Sequence, residues 1–156
     1  MARKRSWYGL SILTIALVLL LLVSVQLSNA GRLNQIAQAV KAHPKYSANV
    51  KAVQAIALHE SDKFTSDVFQ KCNNPFGLKT FSVTTCKAPL SEDPPGRPLY
   101  YARFATMKQA TNALLAWAER RNVPAGLSDE AFIRALLERG YATDKRYFEK
   151  IKKYLK

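Results

Sequence analysis

Residues 55–64 read AIALHESDKF, an apolar helical run that ends in a carboxylate. Upstream, Val50, Val53 and Ala57 follow one another at spacings of three and four residues. Glu60 comes three residues after Ala57, so the pattern places it on the apolar stripe of a helix. A solvated glutamate more often lies on the opposite face. This stretch therefore predicts a core helix that ends in a partly buried carboxylate.

A carboxyl group in this position has the properties of a general acid. Apolar surroundings and the negative end of a helix both disfavour the ionised form, so they raise the pKa of Glu60. General acid catalysis requires a carboxylic acid that is still protonated near the working pH. The position of Glu60 in the helix does not by itself distinguish a general acid from a structural or solvated glutamate. His59 receives no catalytic role, because adjacent helical residues point about 100° apart.

The segments around this helix predict a mostly α (α+β) domain. Helical spacing indicates a helix from Arg32 to about His43, which Pro44 closes. Ser47 and Asn49 are start signals for the second helix.

Residues 76–104 have a different composition. Four of the seven prolines fall here, beside the β-forming runs FSVTT and LYYARF. They predict a small β-hairpin lobe with a mobile tip at SEDPPGRP, residues 91–98. Three more helices are predicted after the lobe. The first covers residues 107–121, the second begins at the N-cap Ser128 and ends at the stop signal Gly140, and the third covers residues 143–156.

The N-terminus predicts an export segment, residues 1–30. Three cations precede residues 10–25, which are apolar and free of charge. This run is slightly longer than a signal-peptide core and slightly shorter than a comfortable membrane span. An extension to residues 7–27 gives an uncleaved N-terminal hydrophobic helix in the membrane, whereas a cut after the small-residue motif SNA gives a secreted protein. Both interpretations place residues 31–156 outside the cytoplasm, in the cell envelope.

The charge of the chain favours an anionic partner. The net charge is +13, and without the three N-terminal cations the remainder still has 21 basic residues against 11 acidic ones. Phospholipid headgroups, a carboxylate-bearing cell wall and nucleic acid all fit such a surface. The basic residues are scattered and no nucleic-acid motif accompanies them, so specific nucleic-acid binding is not predicted.

Cys72 and Cys86 lie in the exported part with thirteen residues between them. In an oxidising compartment, a disulfide that closes such a loop contributes on the order of 3 kcal/mol. Two free thiols are the alternative. The spacing, without accompanying histidines, does not predict a zinc site, and no metal or cofactor is expected.

Three ordered segments, AIALHES, NNPFGLK and GYATD, resemble the bacterial glucosaminidase family, glycoside hydrolase family 73, which has flagellar and autolysin members. The matching residues are Ala57, Glu60, Ser61, Asn73, Asn74, Phe76, Gly77, Leu78, Lys79, Gly140, Tyr141, Ala142, Thr143 and Asp144. The resemblance extends over residues 33–155 and implies a lysozyme-like helical domain with Glu60 as the general acid. After Glu-Ser most members continue Gly-Trp-Gly, whereas here Asp62, Lys63 and Phe64 follow.

The resemblance also implies further site residues. From their position at the tip of the lobe, rather than from the resemblance, Glu92 or Asp93 is the candidate base that activates water; a solvated acidic turn is the alternative. A substrate with a 2-acetamido group could supply its own nucleophile instead, and then no second carboxylate is needed. The predicted sugar contacts are Tyr141, Asn73, Asn74 and Phe64, the last in place of the aromatic residue of the Gly-Trp-Gly segment.

The sequence therefore predicts a peptidoglycan hydrolase of endo-β-N-acetylglucosaminidase type, tethered to the membrane or secreted. Its partners would be glycan strands of the cell wall, the membrane through residues 7–27, and an envelope protein complex. One alternative is a weakened or inactive wall-binding or scaffold protein that lost activity with the Gly-Trp-Gly segment. Another is a membrane-anchored basic adaptor for nucleic acid or proteins.

Overall fold

The computed structural model describes residues 12–79, 85–92 and 98–156. These residues form a mostly helical fold with one two-stranded antiparallel sheet, which confirms the predicted α+β class. In chain order the elements are α1 (Ile12–Lys41), α2 (Val50–Glu60), α3 (Asp67–Cys72), β1 (Thr85–Glu92), β2 (Pro98–Ala102), α4 (Met107–Arg120), α5 (Asp129–Glu138) and α6 (Tyr147–Lys152).

Helix α1 is one continuous element, so the predicted helix start at Arg32 is wrong. Gly31 lies inside the helix, where a glycine costs about 1 kcal/mol relative to alanine but does not break the hydrogen-bond ladder. The helix ends at Lys41, close to the predicted stop, because a residue before proline disfavours the helical conformation.

The predicted anchor, residues 7–27, lies partly outside the described residues. Within the part of the chain that the structure describes, no helix combines the length and the apolar character of a membrane span.

Helix α2 lies in the middle of the core. Ala52, Val53, Ala55, Ile56 and Ala57 are all fully buried, and the helix packs against α1, α5 and α6. The small alanine side chains allow neighbouring helices to approach closely, so this alanine-rich run suits a helix that is enclosed on several sides.

The N-terminus of α2 is fixed by a different contact from the one the sequence indicated. Asn49 is the N-cap, but its side chain donates to the Leu127 carbonyl (2.9 Å) and makes no cap hydrogen bond. The Asp129 carboxylate, in the first turn of α5, accepts from the Ala52 amide (3.0 Å) instead. The carboxylate satisfies an amide that has no partner within the helix and suits the positive end of α2.

The small lobe is a β-hairpin, and Cys72 lies at its base. Residues 85–87 of β1 pair with residues 100–102 of β2, and the register is irregular before Glu92 meets Pro98. Cys72 is buried and disulfide-bonded. The side chain of its predicted partner, Cys86, lies outside the described side chains, so the pairing stays a prediction.

The C-terminal helices begin and end largely as the sequence indicates. The Ser128 side chain caps α5, and Thr106 caps α4 in the same way. Gly140 has a φ of +82°, a left-handed conformation that suits glycine two residues after the last residue of α5. Helix α6 is shorter than predicted, but Tyr147, Phe148 and Ile151 still lie buried on its inner side.

Candidate active site

A cleft of about 670 Å³ opens where the C-terminal end of α2 meets the base of the lobe and residues 140–147. Glu60 and His59 contribute from α2, and residues 76–79 contribute from the segment before the lobe. Trp117 and Arg121, at the end of α4, form part of another wall. The volume lies in the range of ordinary ligand pockets.

Glu60 is the last residue of α2 and is partly buried in this cleft. Burial raises the pKa of its carboxyl above the ordinary value of a glutamate, and a hydrogen-bonding contribution from the Tyr147 hydroxyl opposes the rise. Within the described residues no ion pair forms with Glu60. The carboxyl group therefore lies in surroundings that favour its protonated form.

Gly77 explains why the NNPFGLK segment carries a glycine. Its φ is +61°, and a Cβ atom on this residue would lie 3.1 Å from Glu60 Oε2. Any other residue would therefore combine backbone strain with pressure on the carboxyl group.

The two asparagines of the same segment fix its backbone. Asn74 is buried; its amide donates to the carbonyls of Leu78 (2.9 Å) and Ala102 (3.0 Å), and its oxygen accepts from the amides of Phe76 and Leu78. Asn73 ends α3 in a left-handed conformation and donates to the Phe104 carbonyl (3.1 Å).

Neither asparagine lines the cleft. Asn74 is buried, so its predicted role as a sugar contact is corrected, whereas for Asn73, which is partly exposed and borders a different cavity, the role stays a prediction. Their amide groups serve the turn that brings Gly77 to Glu60.

The segment after Glu60 forms a left-handed turn. Asp62, Lys63 and Phe64 have φ values of +46°, +55° and +67°. The Ser61 hydroxyl donates to the Ala57 carbonyl (2.5 Å) and accepts from the Phe64 amide (2.8 Å). Ser61 therefore joins the end of α2 to a turn for which glycine is the usual residue.

Phe64 does not shape the cleft, which corrects its predicted role as a sugar contact. Its side chain is 1% exposed and packs against Phe69, with the Arg32 guanidinium 5.6 Å from the ring centroid. It borders a separate cavity of about 320 Å³ between α1 and the left-handed turn. A large apolar side chain at this position is drawn into the core.

Tyr141 lies in the same cleft as Glu60. Its hydroxyl donates to the Phe76 carbonyl (2.8 Å), and its ring lies edge-on to those of Trp117 and Tyr147. Burial and the nearby Glu60 carboxyl keep the pKa of Tyr141 well above the ordinary value. The Tyr141 hydroxyl therefore donates its proton to a backbone carbonyl, and its oxygen can still accept a hydrogen bond.

The predicted second carboxylate, Glu92 or Asp93, falls outside the described side chains. Glu92 is the last residue of β1, but its side chain and the whole of Asp93 lie outside the described part. Asp144 lines the cleft as well, and its hydrogen bonds with Lys150 and the Arg146 amide lower its pKa. Because these two donors occupy its oxygens, Asp144 acts as a brace for the start of α6.

Several cleft residues were missed at the level of sequence. Trp117, Arg121 and Tyr101 line the cleft, and the Arg121 guanidinium stacks over the Trp117 ring (5.3 Å). Trp117 and Arg121 lie in the predicted helix of residues 107–121, but helical spacing does not show which part of a helix borders a cavity. Tyr147 likewise lies in the predicted helix of residues 143–156, without any signal that it borders the cleft.

Across the described ranges, no group of three or more His, Cys, Asp or Glu side chains could bind a metal ion.

A helical body, a small β lobe and a protonatable glutamate in the cleft between them are typical of a lysozyme-like glycoside hydrolase. Residues 36–156 match the family model Glucosaminidase, described as mannosyl-glycoprotein endo-beta-N-acetylglucosaminidase. The chain belongs to this family, glycoside hydrolase family 73, and is a glycoside hydrolase.

Three solved structures illustrate the shared fold. A peptidoglycan hydrolase from Sphingomonas sp. A1 is 24% identical with a TM-score of 0.61, over 80% of this chain and 81% of that one. The glycoside hydrolase domain of FlgJ from Salmonella typhimurium is 20% identical with a TM-score of 0.60, over 82% and 84%. The catalytic domain of the autolysin Auto from Listeria monocytogenes is 19% identical with a TM-score of 0.58, over 84% and 82%. No curated protein sequence matches the chain.

Proposed function

We propose that this chain cuts the glycan strand of peptidoglycan at an N-acetylglucosaminyl bond, with Glu60 as the general acid. The observation that carries the proposal is the Glu60 carboxyl in the cleft, with its pKa raised by burial and its oxygen against Gly77. Such an acid can protonate the leaving oxygen as oxocarbenium character develops on the sugar.

The substrate class is supported by the family and by the fold. The family model is that of endo-β-N-acetylglucosaminidases, and the similar structures include a peptidoglycan hydrolase and an autolysin. The cleft wall of Trp117, Tyr101 and Tyr141 offers aromatic surface for sugar rings, and Arg121 and Lys79 offer cations beside it. Those cations suit the carboxylates of a cell wall.

The second step of the reaction has two candidate routes. Either Glu92 or Asp93 activates the water as a base, or the 2-acetamido group of the substrate acts as the nucleophile. In both routes Glu60 delivers the first proton.

We place the domain outside the cytoplasm, where peptidoglycan lies. The cationic start and the charge-free residues 10–25 support an export segment in residues 1–30, as an anchor at 7–27 or as a signal peptide. A contact with an envelope protein complex belongs to the same proposal.

The alternative of an inactive wall-binding protein followed from the missing Gly-Trp-Gly segment. Asp62 and Phe64 nevertheless have the positive φ values that glycines would have there, so the turn is compatible with an intact cleft. Membership of a glycoside hydrolase family argues against the nucleic-acid adaptor.

Digestion of purified peptidoglycan followed by mass spectrometry of the soluble products tests the proposal. We expect fragments with N-acetylglucosamine at the reducing end. Fragments that end in N-acetylmuramic acid would contradict the bond assignment. Binding of the chain to the wall without any soluble product would favour the inactive scaffold.

A further inference from the structure

Tyr147 has a hydroxyl group whose hydrogen bond is not satisfied. It is the first residue of α6, 4% exposed, and its ring lies edge-on to those of His59 (5.1 Å) and Tyr141 (6.1 Å). Among the described residues, its buried oxygen has no hydrogen-bond partner of regular geometry. A buried hydroxyl in this state is unfavourable, so a partner is expected at some stage of the reaction.

Two acceptors lie within the reach of this hydroxyl, the Glu60 carboxyl and the Tyr141 oxygen. Tyr141 donates its own proton to the Phe76 carbonyl, so towards Tyr147 it offers only lone pairs. Glu60 becomes the stronger acceptor once it is ionised, because a hydrogen bond to a charged oxygen is roughly twice as strong as a neutral one.

We propose that Tyr147 is a positioning residue for Glu60, whose unsatisfied hydroxyl donates to the Glu60 carboxylate as Glu60 gives up its proton. The inference rests on the proposed role of Glu60 as the general acid. The new hydrogen bond forms with the charge that develops during proton transfer. It therefore lowers the barrier of the chemical step and leaves substrate binding unchanged.

The position of Tyr147 suits this role. The Asp144 carbonyl accepts from the Tyr147 amide (2.9 Å) and fixes the start of α6, and His59 packs against the ring from α2. The ring is therefore fixed, and only a small rotation of the hydroxyl is needed to direct its proton to Glu60.

Other titratable or charged groups face this pair from every neighbouring element. They are His59 on α2, Lys79 before the lobe, Tyr101 on β2, Arg121 after α4, Tyr141 and Asp144 in the loop after α5, and Lys150 and Lys153 at α6. Because several of these groups can titrate, the pH profile of activity is combined with a direct titration of the Glu60 carboxyl.

The substitution Tyr147→Phe tests the inference, because it retains the ring and removes only the hydroxyl. We expect a fall in kcat of roughly tenfold, with little change in KM. A donor to the ionised form lowers the pKa of an acid, so its removal raises the pKa of Glu60. The alkaline limb of the activity profile should then move to higher pH. A merely structural role would lower the activity without moving the limb.

Tyr141→Phe is the matched control. It removes the competing acceptor and leaves Tyr147 free to face Glu60, so the alkaline limb should not move to higher pH. KM is expected to rise, because Tyr141 is a proposed sugar contact. An upward movement in both variants, or in neither, would overturn the inference.

A titration of the Glu60 carboxyl by ¹³C NMR gives a readout that needs no substrate. Its resonance is assigned from the spectrum of Glu60→Gln, and its midpoint should be higher in Tyr147→Phe than in the wild type. An unchanged midpoint would overturn the role of Tyr147. Full activity of Glu60→Gln would instead overturn the proposed function, so the two failures are distinguishable.

Discussion

Glu60 forms no ion pair within the described residues, and burial is the main cause of its raised pKa. Its oxygen lies against the backbone of Gly77, and the Tyr147 hydroxyl is the polar group that acts on its pKa. A catalytic acid in such a position depends on the exact fit of its neighbours, because a displacement of about 1 Å can cost a hundredfold in rate.

Gly77→Ala should therefore reduce activity while the fold is retained. The new Cβ meets Glu60 Oε2 at 3.1 Å, so the carboxyl must move. Since the required shift is a few tenths of an ångström, we expect kcat to fall severalfold, up to about tenfold, measured as release of reducing ends from peptidoglycan.

Gly126→Ala provides the control for backbone strain. Gly126 has a φ of +71°, similar to that of Gly77, but nothing lies within 4 Å of its would-be Cβ. Both variants should lose similar stability, and only Gly77→Ala should lose activity. Equal losses of activity would show that strain, and not contact with Glu60, explains the effect.

The raised pKa of Glu60 also predicts a dependence of stability on pH. The folded protein holds the proton more tightly than the unfolded chain, so the free energy of unfolding falls as the pH rises through the folded pKa. Glu60→Gln has no such loss. The difference in the free energy of unfolding between Glu60→Gln and the wild type, measured by chemical denaturation, should therefore favour the variant more at about pH 8 than at about pH 4. An equal difference at the two pH values would contradict the raised pKa of Glu60 in the folded protein.

At the scale of elements, the left-handed turn after α2 replaces the family's glycines with strained residues. Asp62 is exposed and has a φ of +46°. Phe64 compensates for its own strain by burial in the core. Within the described residues, the side chain of Asp62 accepts only a long hydrogen bond from the Thr65 hydroxyl (3.4 Å).

Asp62→Gly should consequently stabilise the protein by roughly 0.5–1 kcal/mol, since glycine adopts positive φ without a steric penalty. Thermal and urea unfolding measure the change. Asp67→Gly, in the first turn of α3, is the control and should destabilise by about the same amount or more. A loss of stability in Asp62→Gly would mean that the aspartate favours the turn.

The elements also show which patterns were informative. The apolar stripe of α2 and the end signals Ser128 and Gly140 were readable, because each depends on local spacing or local backbone conformation. The start of α1 was misplaced, because residues 1–30 had been assigned to a separate export segment, whereas α1 runs on without a break from Ile12 to Lys41. Three consecutive left-handed residues other than glycine have no sequence signature, so the structural roles of Ser61 and Phe64 could not be foreseen.

At the scale of the whole molecule, the candidate site depends on long-range packing. Trp117 and Arg121 line the cleft because α4 packs against α1 and its end meets residues 140–147, which no local pattern encodes. The motifs did predict that Glu60 and Tyr141 come together. They did not predict that Asn74 acts as the internal brace of the turn that carries Gly77.

The account depends on Glu60 as the general acid, and the most direct measurement is the activity of Glu60→Gln on purified peptidoglycan. The substitution retains the size of the side chain and removes the transferable proton. We predict that release of reducing ends falls about 100- to 10,000-fold, while circular dichroism shows an unchanged fold. Turnover equal to that of the wild type would contradict the account.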